Sequence, residues 1–387
     1  MTKLVVRLSA ITRAVTLGAA LAIATPSSAA EIPNATLSIL KNLKKDSSLL
    51  QGLDQELAVP DSWIAGARKE GTFRFVGTWD NKQFQAMIKP FEERYPFIKA
   101  QYREGTNREN RVIGTLVAFH SGRYLADVLE GISGGFNEFK QADAVADLSD
   151  MPGWNNVAEG IKHPDGTWIG FRLRYWCTAY NTELVSKADL PATWDGFLSN
   201  PRWHGDKIGL GNRPNLWLLN LWGHKGEDWA RNYATTLFGR AKPQFRKEGL
   251  DALVGLVVAG EFHISIPAGT EAVSGYIRRG APVAWHCPEP VPAAATGIMV
   301  LKGNPNINAS KVFVNWMVSK EGQIARYAAD GIPPAHKDLQ SPDFVPFADQ
   351  VVGKQVAFQD LHLIEDVLPG VYDFWNPLWG GERREGR

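Results

Sequence analysis

The sequence predicts an α/β fold in two lobes, and three observations predict it. From Gly71 to Leu129, short apolar strand-like runs alternate with amphipathic helical stretches, the pattern of a mainly parallel sheet. The same style recurs from Pro191 to Thr270. The chain has 387 residues, enough for two domains with full cores.

The elements follow in order. Lys3, Arg7 and Arg13 precede an apolar run from Ala14 to Thr25, and no acidic residue comes before Glu31. With Ser28-Ala29-Ala30 as a small-x-small signal, residues 1–30 read as a secretory signal peptide cleaved after Ala30. The apolar run is about 12 residues, short of the roughly 20 that span a bilayer. No Cys stands at the new N-terminus, which points away from a lipid anchor there and toward an exported, soluble chain of about 357 of the 387 residues. Residues 31–65 read as a helical lead-in with a leucine stripe (Leu37, Leu40, Leu43, Leu49, Leu50, Leu53, Leu57). Asp61 or Ser62 caps a helix over Trp63–Lys69. Gly71 releases the chain into a strand at Thr72–Gly77, followed by a helix from Lys82 to Arg94, a strand at Ile98–Tyr102, a helix near Glu109–His120 and a strand at Ala126–Leu129.

In the second half, Thr193 caps a short helix, a strand covers Lys207–Leu210, and helices follow at Leu216–Trp222, Asp228–Leu237 and Leu250–Ala259. A strand at Phe262–Ile266 ends in Pro267-Ala268-Gly269-Thr270. Between the lobes lie two Cys-bearing strand-like runs, Phe171–Tyr180 and Pro282–Cys287. The run from Gly280 to Gln323 continues with an apolar strand, an Asn-Pro turn and a helix. Its Ala309, Val312, Phe313, Trp316 and Met317 share one face. Asn308 is positioned to cap it, and Ser319 to cap a second helix that stops near Gly331 and Pro333-Pro334.

Composition excludes several classes. Cleavage removes 3 of 42 basic and none of 41 acidic residues, turning a net charge of +1 into −2. That balance argues against a nucleic-acid partner or a basic membrane-surface binder. Fourteen Trp suit stacking surfaces and core filling alike. The two Cys, Cys177 and Cys287, are a disulfide candidate in an oxidising compartment, and two buried free thiols are the alternative.

In parallel sheets, ligands bind beyond the carboxyl ends of the strands. Three loops meet that description: Thr78–Asn81 with Trp79 and Asp80, Glu130–Gly135 with Ser133 and Gly134, and Gly211–Asn215 with Asn212 and Arg213. Gly269 and Thr270, followed by Glu271, stand at the equivalent junction after Ile266. Trp176 and Trp217 sit near the cleft edges, and Glu289 at the exit of the second Cys run. Arg213 precedes a helix start, where guanidinium and backbone N–H groups favour an anion. A solvated surface Arg is the plainer reading. Gly131-Ile132-Ser133-Gly134-Gly135 also matches G-x-S-x-G, so an exported serine hydrolase using Ser133 with His336 or His362 is a rival reading. No H-G-G-G segment lies upstream. The eight His show no H-E-x-x-H and no Cys/His cluster, so neither a zinc site nor another cofactor is indicated.

W-I-A-G-A-R-K-E-G-T-F-R-F-V-G (63–77), F-E-E-R-Y-P-F-I (91–98), A-D-V-L (126–129), T-A-Y-N-T-E-L-V (178–185), P-A-T-W-D-G-F-L (191–198) and G-A-P-V (280–283) together resemble family 1 extracellular solute-binding proteins of ABC importers, especially the ferric-iron-binding-like branch. The resemblance covers nearly all of the chain after residue 30. It implies a type II periplasmic binding protein: two lobes, each a mixed sheet flanked by helices, joined by hinge strands and closing on a small molecule that is passed to an inner-membrane permease. It implies no catalysis and a monomer in the periplasm. One lobe would be 66–174 plus 288–320, the other 178–284 plus 325–387. The crossing strands would be Arg174–Tyr180 and Val283–Glu289, which would place Cys177 and Cys287 side by side. Iron binders of this branch carry adjacent tyrosines after the strand matching Phe262–Ile266. Here Ala268-Gly269-Thr270 stands there, with Tyr276 nearby. Without that phenolate pair, a small organic or oxyanion ligand is favoured over iron.

Overall fold

The computed structural model describes residues 31–105, 109–132 and 135–385. The signal-peptide expectation therefore lies outside the described residues, as do Ser133 and Gly134. Among the described residues, ten strands form one continuous sheet: β1 (Thr72–Gly77), β2 (Lys99–Glu104), β3 (Val128–Glu130), β4 (Ile169–Asn181), β5 (Ile208–Gly211), β6 (Gln244–Arg246), β7 (Ile264–Gly269), β8 (Val283–His286), β9 (Val291–Val300) and β10 (Val356–Gln359). Helices flank it, giving the expected mixed α/β architecture.

The sheet is continuous because β4 belongs to two halves. Over residues 169–175 it runs antiparallel to β9, beyond which lie β3, β1 and β2. From Trp176 onward it pairs instead with β7 and β8, and β7 leads on to β5 and β6. We call these halves lobe 1 and lobe 2. A second strand pair makes the same crossing: β8 lies against lobe 2's end of β4, and β9 against lobe 1's end. Both connections between the halves therefore run through one place, the position expected for the hinge strands.

Each lobe fills its core with aromatic residues. In lobe 1, the helix Ile307–Met317 buries Ala309, Val312, Phe313, Trp316 and Met317, and the Phe313 ring meets Phe73, Phe75 and Phe91. Lobe 2 packs Trp194, Trp203, Trp217 and Tyr233 against Val371, Trp375 and Trp379 of the helix Leu368–Glu385. Most of the Trp surplus is thus core filling.

Two caps differ from the sequence reading. Asn308 does not cap its helix: Asn306 is the N-cap residue, and the first-turn amides of Asn308 and Ala309 donate to Glu70 of the helix Asp61–Glu70. A carboxylate distant in sequence has replaced the local cap, and it also accepts from the Asn308 side chain at 2.6 Å. Nor does Thr193 cap. The short helix Gly196–Ser199 follows Asp195, because Trp194 is drawn into the core and donates its indole N–H to Pro290 O at 2.9 Å. Ser319 caps as expected, accepting from Gly322 N, and Gly331 ends that helix at φ +69°.

Cys177 and Cys287 form a disulfide with Cα atoms 5.0 Å apart. The pair Thr178↔His286 brings them together one position along β4 and past β8. His286, beside the bridge, is buried and its ring nitrogen meets Pro191 O at 2.8 Å. Burial holds its pKa below the ordinary imidazole value, with Lys354 and Lys187 acting in the same direction and the Pro191 contact opposing. Below the ordinary value of about 6.5 the unfolded chain binds this proton and the folded chain does not. Stability contributed by neutral His286 is therefore present above that pH and lost as pH falls toward the depressed folded value. Urea denaturation across this window is expected to show a fall in stability on acidification that is smaller in His286→Asn.

Candidate functional site

The crossing strand positions the site. On β4, alternate residues point to opposite faces. Leu173, Tyr175 and Cys177 are buried on one side. Arg172, Arg174 and Trp176 line an open cleft of about 730 Å³ on the other. Thr78, Trp79 and Gly131 line it from lobe 1, and Glu271 from lobe 2.

A buried ionic chain forms the floor. The Arg172 guanidinium donates to Glu130 at 2.8 Å and to Thr78 Oγ1 at 3.1 Å, and lies 4.6 Å over the Trp79 ring. Its other arm is 3.6 Å from Asp330. Asp330 accepts from Trp79 Nε1, Arg326 Nη1 and Ile332 N at 2.9–3.0 Å. Glu130 also accepts from the Thr78 backbone and hydroxyl. Burial pushes the Arg326 pKa down to about 10, against the pull of Asp330 and with the push of Arg172 and Arg174. It stays a cation at neutral pH.

Three donor-only side chains face the cleft from β4. Arg172 Nε and Trp176 Nε1 are buried and have no acceptor among the described residues. Arg174 is 44% exposed and only loosely held, 3.7 Å from Glu271. Glu271 itself sits in the first turn of the helix Thr270–Ile277, where a carboxylate is favoured. Gly269 precedes it, and a Cβ there would come within 2.9 Å of the Trp176 ring. Glycine therefore leaves room for the indole against the lobe 2 wall.

The residues expected from sequence divide. Trp79 and Trp176 line the cleft. Gly269 and Thr270 adjoin it, with Thr270 buried. Asp80 caps the helix Asn81–Arg94, accepting from Gln83 N at 2.9 Å. Asn212 is held by Trp375 Nε1 at 2.8 Å, and exposed Arg213 stands at the N-cap of the helix Pro214–Lys225. Neither is among the cleft's lining residues. Glu289 accepts from Gln355 N beside the crossing and does not line the cleft either. Ser133 and Gly134 lie outside the described residues. The sequence reading missed Arg172, Arg174 and Asp330. The run R-L-R-Y-W at 172–176, cationic or aromatic at every second position, was the signal for the first two.

No Tyr, His or Cys is among the described residues that line the cleft. Tyr276 lies instead under Arg279, with the guanidinium 4.4 Å from its ring. Elsewhere, Glu56, His336 and Asp338 cluster tightly enough to suggest a metal. Lys320 fills that place, its ammonium 2.8 Å from Asp338 and 3.4 Å from Glu56. His336 pairs with Glu56 and His362 with Asp366. A smaller hollow of about 320 Å³, lined by His163, Trp168 and Asp360 among others, is mostly apolar.

Residues 86–350 match the family of bacterial extracellular solute-binding proteins. The chain is 29% identical over 203 residues to "Iron uptake protein A2" of Synechocystis sp., a match covering 45% of this chain and 54% of that protein. The chain thus spans about half the length of the curated relative it matches. Iron-bound HitA from Pseudomonas aeruginosa shares the fold, with TM-score 0.59 and 20% identity over 79% of this chain and 99% of that one. So does Trichodesmium IdiA (FutA) in complex with iron and citrate ligands, with TM-score 0.64 and 18% identity over 80% of this chain and 99% of that one.

Proposed function

Because the chain belongs to the bacterial extracellular solute-binding proteins, we propose that it captures a small organic oxyanion in the cleft between its lobes and hands it to an ABC permease from the periplasm. The observation that carries the ligand class is the donor-only face of β4. Arg172 Nε and Trp176 Nε1 are buried without acceptors, and Arg174 reaches into the same cleft. A buried donor left unmade costs about 1–3 kcal/mol, more when charged. A carboxylate or phosphate would satisfy these donors, and a bare cation would meet them unfavourably. The Trp176 ring offers a flat surface for the solute's carbon skeleton.

Ferric iron is the second reading, favoured by the names of the relatives. Two carboxylates line the cleft, but Asp330 already accepts from three donors and Glu271 is the one left. An iron complex with an organic oxyanion such as citrate would still use the donor face.

A thermal-shift panel of carboxylates, phosphates and Fe(III) tests both. A solute at 100 times its Kd stabilises by about 2.7 kcal/mol through mass action. An oxyanion without metal is expected to raise Tm; a rise with Fe(III) alone would overturn the oxyanion reading. Arg174→Ala removes charge-assisted hydrogen bonds worth about 1.5–3 kcal/mol. It is expected to weaken binding about 10- to 150-fold, while leaving the melting temperature of the free protein close to wild type.

A further inference from the structure

We propose that Glu365 is an interlobe latch that holds the two lobes together in the solute-free protein. Glu365 lies in the helical turn Leu363–Val367, which is fixed to lobe 2. Leu363 is part of the lobe 2 core and packs so closely on Gly223 that a Cβ there would come within 2.5 Å of it. Asp360 caps the turn, accepting from Leu363 N at 2.8 Å. On the other side, Phe136 opens the helix Phe136–Gln141 and is buried in the core that lobe 1 contributes to.

The Glu365 carboxylate spans between them. One oxygen accepts from Phe136 N and the other from Asn137 N, each at 2.7 Å. These amides belong to the first turn of a helix, which has no intrahelical acceptors for them. Gly135 precedes the helix and offers no side-chain cap. The cap therefore comes from a residue 229 positions away in the other lobe.

The placement is otherwise unfavourable. Burial raises the Glu365 pKa, and Glu138 and Asp366 add like charge, while the two amides pull the other way. What keeps the carboxylate there is the pair of amide hydrogen bonds, and any opening of the lobes at this rim breaks both together. The latch thus holds the lobes in the relative arrangement seen here before a solute arrives. That raises the fraction of binding-competent protein and so the apparent affinity.

The test uses the mature chain without added solute. Amide exchange over residues 130–141 and small-angle scattering are compared for wild type, Glu365→Ala and the near-isosteric Glu365→Gln. In Glu365→Ala, the Phe136 and Asn137 amides are expected to exchange at least about tenfold faster, the loss of one or two net hydrogen bonds, and the radius of gyration to increase. Glu365→Gln, with one oxygen acceptor left, is expected to fall between. Faster exchange with unchanged scattering in both variants would reduce Glu365 to a helix cap and overturn the latch. Unchanged exchange and scattering would overturn it as well. If Glu365→Ala fails to fold, the Gln variant alone decides by the same two readouts.

Discussion

Replacing Cys177 and Cys287 together by alanine lowers the unfolding free energy by about 4–5 kcal/mol, the chain-entropy value for a loop of this length. The bridge closes 110 residues of sequence separation, and that loop contains most of lobe 2. In the unfolded chain it removes much of the freedom lobe 2 would otherwise regain. In the folded chain it ties β4 to the segment after β8 at the crossing, where the backbone must bend if the lobes move. Urea denaturation of wild type and the double variant, both without reductant, measures the effect. Reduction of the wild type is expected to reproduce it. A loss under about 1 kcal/mol would mean that the unfolded chain keeps enough residual order to hide the loop entropy.

Replacing Glu130 by alanine is expected to destabilise the protein by about 3–5 kcal/mol, because it takes the nearest carboxylate from buried Arg172 and leaves it only Asp330, 3.6 Å away and already paired with Arg326. Glu130 is fully buried and holds both Arg172 and Thr78. Its loss frees the cleft floor on the lobe 1 side while Asp330 still engages Arg326. A buried pair replaced as a unit behaves differently: Glu130→Leu with Arg172→Met should recover much of the stability of the single variant. The double variant would nonetheless lose one of the three cleft donors. Thermal melts of both, beside solute binding, separate the structural role of the pair from its role at the site. A single variant as stable as wild type would contradict the buried-pair account.

Much of the scaffold was legible in the sequence because it rests on local pattern. The stripe Ala309, Val312, Phe313, Trp316 and Met317 is buried as its spacing requires, and Ser319 and Gly331 bound the next helix through side-chain and left-handed caps. The failures come from contacts distant in sequence. Glu70 caps a helix that Asn308 was positioned to cap, and Trp194 pulls the chain away from the start expected at Thr193. The long helix Leu368–Glu385 carries Trp375, whose indole holds Asn212. No pattern near Asn212 announces that partner. The site was half visible: the loop after β1 and the junction after β7 were expected from strand ends, but Arg172 and Arg174 lie in mid-strand. Their role follows from β4 being shared between the two halves of the sheet, which depends on strand pairing.

The central claim is that the β4 face binds an oxyanion. Calorimetric titration tests it most directly, using wild type and Arg174→Ala with the carboxylate or phosphate that stabilises the protein, and with Fe(III) alone. The account predicts binding of the metal-free oxyanion to wild type, weakened about 10- to 150-fold in the variant. Binding of Fe(III) alone with equal affinity by both proteins, and no heat from any metal-free oxyanion, would contradict it.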